Sequence, residues 1–412
     1  MAGPPSHLTS HLFEPGSIGR LAIRNRLVRA GTSETMAGGG GEVTDELVSL
    51  YETLARNEVG LIITGHLYCD QRGQYARNQT GIHEDRLVAG LSSLASAIGR
   101  HGARVFAQVA HAGSQSRIQG VQALAPSPIP NVLTGRIVPA ASPSEIGDAV
   151  QAFGGAAGRA AAAGFDGVHI HGANGYLISE FCSGLTNVRE DEWGGSPERR
   201  DRFALEVVRA VRRAVPPEMP VTMKLGMFDV QPGGLAVSES LDRAERLVSA
   251  GLDGIEVSVN AMQRPTDSAR RYVAVDRLRA VSDLLPHRLF ASPEPEAYFL
   301  PLAQALRPRV ECRILLVGGL RKAETMNAVL GRGDADFIAL ARPFIREPEL
   351  VRELAAGRTG PAECTSCNLC LMHEGHHSLR CWRVPRGRLA QHALYRVRGG
   401  FRREGIAPRA DA

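Results

Sequence analysis

Eight short, almost wholly apolar runs alternate with helix-patterned segments along this chain, and that rhythm restricts its fold more than any other feature. The runs are Arg26–Gly31, Leu61–His66, Arg104–His111, Gly167–Ala173, Pro220–Gly226, Gly254–Asn260, Arg313–Gly319 and Phe337–Pro343. They lack the polar alternation of a half-exposed strand, so both of their faces must be covered, as in a parallel sheet. Helical spacing fills Asp45–Glu58, His83–Arg100, Ser144–Ala163, Pro197–Ala214, Ser238–Ala250, Lys322–Leu330 and Glu347–Ala356, with Gly60, Gly164 and Gly251 as stops. Eight repeats predict a closed (β/α)8 TIM barrel, an α/β fold, as a single domain over residues 10–357, since open doubly wound sheets usually have fewer strands. No GxGxxG run follows the first strand, which disfavours a Rossmann site.

Residues 358–412 are left as a C-terminal extension holding a cysteine cluster and a basic tail. Two stretches break the rhythm: 112–143, rich in Gly, Pro and Ser, and Asn260–Leu306, too long for one helix. Loops that follow barrel strands lie on the catalytic rim. Gln115–Arg136 and Met262–Tyr272 are therefore either substrate walls and lids or plain loop padding.

Composition excludes other classes. With 43% hydrophobic and 22% charged residues the chain is globular rather than disordered. No apolar run nears the ~20 residues that span a bilayer, and Met1–Ser17 has no leader pattern, so a cytoplasmic protein without membrane contact is expected. The net charge of +5 sits in the tail, where residues 383–412 carry eight arginines against Glu404 and Asp411, a local +6. With no nucleic-acid motif, this tail is read as solvated or packed on a second copy of the chain, not as a nucleic-acid arm. The chain has 46 arginines but only two lysines, Lys224 and Lys322, so each lysine draws notice.

Polar groups gather at the C-terminal strand ends, where barrels place their chemistry. Strand one ends in Gly31-Thr32-Ser33, strand two in Gly65-His66, and strand three carries Gln108 and His111. Strand five ends in Lys224, seven in Gly318-Gly319 and eight in Ala341-Arg342. Gly318-Gly319, Lys322 and Arg342 suggest a phosphate cradle. After strand four, His171 and Asn174 can stabilise a carbonyl oxygen that gains charge, and Tyr176 can donate a proton. His169, deeper on the same strand, is read as a satisfied core histidine.

The segment His171-Gly-Ala-Asn-Gly-Tyr-Leu-Ile-Ser-Glu-Phe181, followed by Leu185-Thr-Asn-Val-Arg-Glu-Asp-Glu-Trp-Gly-Gly-Ser-Pro-Glu-Arg-Arg-Asp-Arg-Phe203, resembles the Old Yellow Enzyme family of FMN-dependent ene-reductases. Leu12-Phe13-Glu14-Pro15, Asn25-Arg26-Leu27-Val28, Ala107–Gly113 and Ala339–Pro343 extend the likeness. The resemblance implies FMN at the mouth, with Ala30, Gly31, Thr32 and Ser33 along the ring edge and Gln108 and Gly65 at the pyrimidine. It puts Lys224 by N1 and O2, and Gly318, Gly319, Ala341 and Arg342 at the phosphate. It also implies NAD(P)H as donor, an α,β-unsaturated carbonyl compound as small-molecule substrate, His171 and Asn174 on its carbonyl and Tyr176 as proton donor. Arg29–Ala37 leans towards the 2,4-dienoyl-CoA reductase branch, whose FAD- and NAD-binding domains this chain lacks. Gly31 and Ser33 depart from the Pro and the Thr or Cys frequent in the family.

Cys364-x2-Cys367-x2-Cys370-x10-Cys381 has the spacing of a metal site. In the named branch a [4Fe–4S] cluster stands here, with each of the two later intervals one residue longer. Three readings stay open: a [4Fe–4S] cluster, a zinc site that draws on His373, His376 or His377, and free thiols. Two other functions are carried forward: a Schiff-base lyase or aldolase using Lys224, and a non-catalytic, metal-dependent assembly partner.

Overall fold

Alternation along each strand decides which side chains fill the barrel and which meet the helices. The computed structural model describes residues 10–130, 135–260, 296–366, 370 and 378–382. Its barrel strands are β1 (Leu27–Arg29), β2 (Leu61–Ile63), β3 (Arg104–Ala110), β4 (Gly167–Gly172), β5 (Val221–Gly226), β6 (Gly254–Ser258), β7 (Arg313–Val317) and β8 (Phe337–Leu340). Each pairs in parallel with the next, and β8 pairs with β1 to close the ring. The expected (β/α)8 fold is therefore the one observed.

A helix follows every strand: α1 (Asp45–Arg56), α2 (Val88–Gly99), α3 (Pro143–Ala162), α4 (Pro197–Ala214), α5 (Val237–Ser249), α6 (Leu300–Leu306), α7 (Ala323–Gly331) and α8 (Leu350–Ala355). Local chemistry sets several of their starts. The Thr44 side chain accepts from the Leu47 N–H at the head of α1, and Ser142 with Glu145 forms a reciprocal capping box at α3. Outward strand residues such as Leu27, Ile62, Val105, Val168, Val221, Ile255, Ile314 and Ile338 join the apolar helix faces in the main core.

The inward residues form a separate, smaller core. Val28, Leu61, Ile63, Phe106, Leu315, Phe337 and Ala339 pack with Ile18 and Ile23. Those two isoleucines belong to an N-terminal hairpin, Gly16–Ile18 with Leu21–Ile23, which plugs one end of the barrel. The sequence rhythm did not disclose this hairpin, because two three-residue strands are too short to show a period. On β4, β5 and β6 the inward positions are instead polar: His169, Thr222, Lys224 and Glu256, all buried.

Of Asn260–Leu306, residues 261–295, including the expected wall Met262–Tyr272, lie outside the described residues, and α6 closes the segment. The basic tail lies outside them as well. Among the described residues no helix is long and apolar enough to cross a membrane.

Phe337 is fully buried in the plugged end. Its truncation, Phe337→Ala, is expected to lower the unfolding free energy by about 3–5 kcal/mol. Urea denaturation of the purified protein checks this through a lower midpoint at unchanged slope.

Candidate active site at the C-terminal mouth of the barrel

The polar inward face of β4–β6 is a chain of contacts running up to the mouth. His169 Nδ1 lies 2.8 Å from Thr222 Oγ1, and its Nε2 lies 3.1 Å from Glu256 Oε2. The other Glu256 oxygen meets Lys224 Nζ at 2.5 Å. Strand register makes these meetings possible, since Lys224 stands directly opposite Glu256 on one side and His171 on the other. Burial pushes the Glu256 carboxyl up, but the Lys224 ammonium and His169 outweigh it and hold it down at about 2. Lys224 thus stands near the end of β5, anchored by a carboxylate on β6. His169 has the contacts of a satisfied core residue.

The expected trio of His171, Asn174 and Tyr176 is built by the end of β4 and the turn after it. Asn174 has φ +62, a left-handed conformation that asparagine tolerates. The turn is clamped from two loops: the Asn174 N–H donates to Val259 O at 3.1 Å, and Gln115 Nε2 donates to Asn174 O, also at 3.1 Å. The rings of His171 and Tyr176 lie 4.7 Å apart, with His66 from the end of β2 facing both. Burial drives His171 well below the usual histidine range, with the positive charge of Lys224 adding to the effect. It is therefore neutral, and its buried Nδ1 has no hydrogen-bond partner among the described residues.

Gln108 and Gly31 lie against each other. A Cβ at Gly31 would stand 2.5 Å from the Gln108 amide, so a larger residue there would require that side chain to shift. Gln108 Nε2 is buried without a partner among the described residues. Ala30 donates its N–H to Leu340 O at 2.9 Å, while Thr32 and Ser33 stay partly open to solvent. Gly65 is used differently from expectation: its N–H donates to Glu34 Oε1 at 2.7 Å within a buried cluster of Glu34, Arg29 and Tyr51. Glycine is required there because a Cβ would collide with that carboxylate.

After β7 and β8 lies a pocket of about 80 Å³ lined by Gly318, Gly319, Ala341 and Arg342, together with Tyr298 and Arg321. Gly318 (φ +118) and Gly319 (φ +72) both occupy left-handed backbone, and the Tyr298 and Phe299 rings pack against Gly318. Lys322 stands at the N-cap of α7, opening that helix as expected, but is exposed and not among the lining residues, whereas its buried neighbour Arg321 lines the pocket. Cys364 and Ser366 complete the wall. Cys370 and Cys381 are partly buried, whereas Cys367, His373, His376 and His377 lie outside the described residues. Among the described residues no group of three or more His, Cys, Asp or Glu is placed to hold a metal ion.

Sequence reading passed over Glu256, Glu34, Gln79 and Arg321, and noted His66 only as a strand end. Glu256 was the most legible, being the one charge inside the apolar run Gly254–Asn260.

A parallel barrel thus carries, at one mouth, a pocket after β7 and β8 and the His171, Asn174 and Tyr176 group at the end of β4 and in the turn that follows it. The chain belongs to the NADH:flavin oxidoreductase / NADH oxidase family, whose model matches residues 11–360. It is 33% identical over 364 residues to an NADH oxidase of Thermoanaerobacter brockii, covering 87% of this chain and 53% of that protein. It is 34% identical over 338 residues to an NADPH dehydrogenase of a Geobacillus species (strain WCH70), covering 82% and 91%. The structure of an old yellow enzyme homologue from Zymomonas mobilis superposes with a TM-score of 0.68 at 26% identity, covering 86% of this chain and 96% of that one. The chain spans about half the length of the NADH oxidase.

Glu256→Gln leaves the Lys224 charge buried without its counter-ion, and is expected to cost about 3–5 kcal/mol at pH 7. A carboxyl held low in the folded state stabilises it above the unfolded value near 4.5, and that stability is lost as pH falls towards 2. The gap between parent and variant unfolding midpoints should therefore narrow between pH 4.5 and 2, as measured by urea titrations across that range.

Proposed function

We propose that this protein binds FMN at the barrel mouth and uses NAD(P)H to reduce the C=C bond of an α,β-unsaturated carbonyl compound. The observation that carries the reading is the convergence of His171, Asn174 and Tyr176 beside Lys224 at one mouth. The residues present fit a flavin mononucleotide. The orphaned Gln108 amide suits a pyrimidine edge, the pocket lined by Gly318, Gly319 and Arg342 suits a phosphate, and the Lys224 ammonium suits an electron-rich ring edge. Bound there, FMN supplies hydride transfer between the nicotinamide donor and the alkene.

The chain's own residues supply the rest. His171 and Asn174 hold the substrate carbonyl and polarise it, so that charge developing on its oxygen meets preplaced donors. A neutral His171 suits this task, because it donates without surrendering a proton at ordinary pH. Tyr176, mostly buried, presents its hydroxyl to the α-carbon as general acid. The Schiff-base alternative is disfavoured, because Glu256 engages the Lys224 nitrogen as a cation whereas that chemistry needs a free amine.

Tyr176→Phe separates the steps. Loss of the general acid should slow alkene reduction by about 10²- to 10⁴-fold while NAD(P)H still bleaches the flavin at the parent rate. Anaerobic stopped-flow of the two half-reactions measures both. An alkene step as fast as the parent's would remove Tyr176 from the role of proton donor.

A further inference from the structure

Around Tyr176 lies a set of contacts that fixes where protons sit. Gln79 Oε1 accepts the Tyr75 backbone N–H at 2.6 Å, which settles the orientation of the amide. Gln79 Nε2 therefore faces His66, 2.7 Å from its Nδ1 and 2.8 Å from its carbonyl oxygen. An amide NH2 only donates, so Nδ1 must be the accepting, unprotonated nitrogen. The neutral ring then carries its proton on Nε2, which lies 3.3 Å from the Tyr176 hydroxyl oxygen. Gln79, His66, Tyr75 and Tyr176 are all buried.

We propose that His66 is a positioning residue for proton donation: its Nε2–H donates to the Tyr176 oxygen, so that the phenol's own proton is directed at the substrate. The proposal rests on the reading of Tyr176 as proton donor. In that step the hydroxyl proton passes to the α-carbon as hydride, originating in NAD(P)H, reaches the β-carbon. The C=C π bond is replaced by two C–H bonds, and the tyrosine oxygen keeps the O–H electron pair. That oxygen then bears a negative charge, which the His66 N–H stabilises until water returns a proton.

The surroundings keep His66 in this form. Burial first, and the positive charge of Arg117 in addition, lower its pKa to about 4, so it stays neutral through the working range. The other titratable groups facing it are Tyr75, edge-on at 5.7 Å between ring centres, His171 at 6.2 Å and Tyr176 at 5.5 Å. Arg117 lies over the Tyr75 ring, 4.0 Å from its centre.

The test compares His66→Ala, His66→Gln and Tyr176→Phe in the full, FMN-loaded chain by anaerobic stopped-flow. His66→Ala should slow the alkene step about tenfold to a hundredfold, the weight of one hydrogen bond to a charged oxygen, and leave flavin reduction by NAD(P)H unchanged. It should also move the basic limb of the alkene-step pH profile upward, because the phenolate has lost a donor. His66→Gln, which retains an N–H, should recover most of both. An alkene step in His66→Ala that keeps the parent rate or the parent basic limb, or a glutamine variant that recovers nothing, overturns the proposal. Parent-like rates in Tyr176→Phe instead overturn the assignment of Tyr176. A readout independent of flavin is the ¹⁵N imidazole spectrum of the flavin-free protein, where signals absent from His66→Gln identify this ring. The Nε2–H tautomer at pH 6–8 supports the proposal, and the Nδ1–H tautomer contradicts it.

Discussion

A lysine ammonium and a glutamate carboxylate share the dry interior of this barrel, and the layout of the mouth depends on their pairing. Taking two ions out of water is costly unless each meets its partner with good geometry. The parallel register of β5 and β6 provides that geometry by setting Lys224 directly against Glu256. His169 and Thr222 satisfy the far side of the carboxylate and the imidazole. The barrel interior is consequently divided: apolar side chains and the N-terminal hairpin fill the part lined by β1–β3, β7 and β8, while a polar ladder climbs β4–β6. A cation can stand at the mouth because this ladder supports it from beneath.

The loops around the mouth follow the same logic of satisfying one atom to aim another. Gln115 clamps the Asn174 turn, Gln79 fixes the His66 tautomer, and Glu34 binds the Gly65 N–H together with Arg29 and Tyr51. In each case a side chain from one loop, buried for Gln79 and Glu34 and half-buried for Gln115, locks the backbone or ring of another. Among the buried side-chain atoms without a hydrogen-bond partner in the described residues, Gln108 Nε2 and His171 Nδ1 belong to β3 and β4. Buried polar groups are normally bonded, and under the proposed function these two would meet the ligand.

Much of this was legible in the chain. Strands buried on both faces give unbroken apolar runs, which is why eight strands and the closed barrel could be read from pattern, and why the residues ending those strands stood out. The elements that escaped did so for physical reasons. The hairpin at Gly16–Ile23 is too short to carry a period. Glu256 looks like a lone polar interruption until strand register supplies Lys224. His66 and Gln79 acquire meaning only when the loop after β2 folds back over the β4 turn. Lys322 was drawn into the phosphate cradle by sequence proximity, yet the helix start turns it to solvent and leaves Arg321 at the wall.

The central claim is that this mouth couples a nicotinamide donor to an activated alkene through one bound flavin. The most direct measurement is an anaerobic titration of the FMN-loaded chain, first with NAD(P)H and then with a panel of activated enones and enoyl thioesters, following the flavin's visible absorbance. The account predicts full bleaching by about one equivalent of donor, and recovery of the band as one equivalent of alkene is saturated. A chain that takes up no FMN, or a bleached flavin that no activated alkene reoxidises, contradicts it.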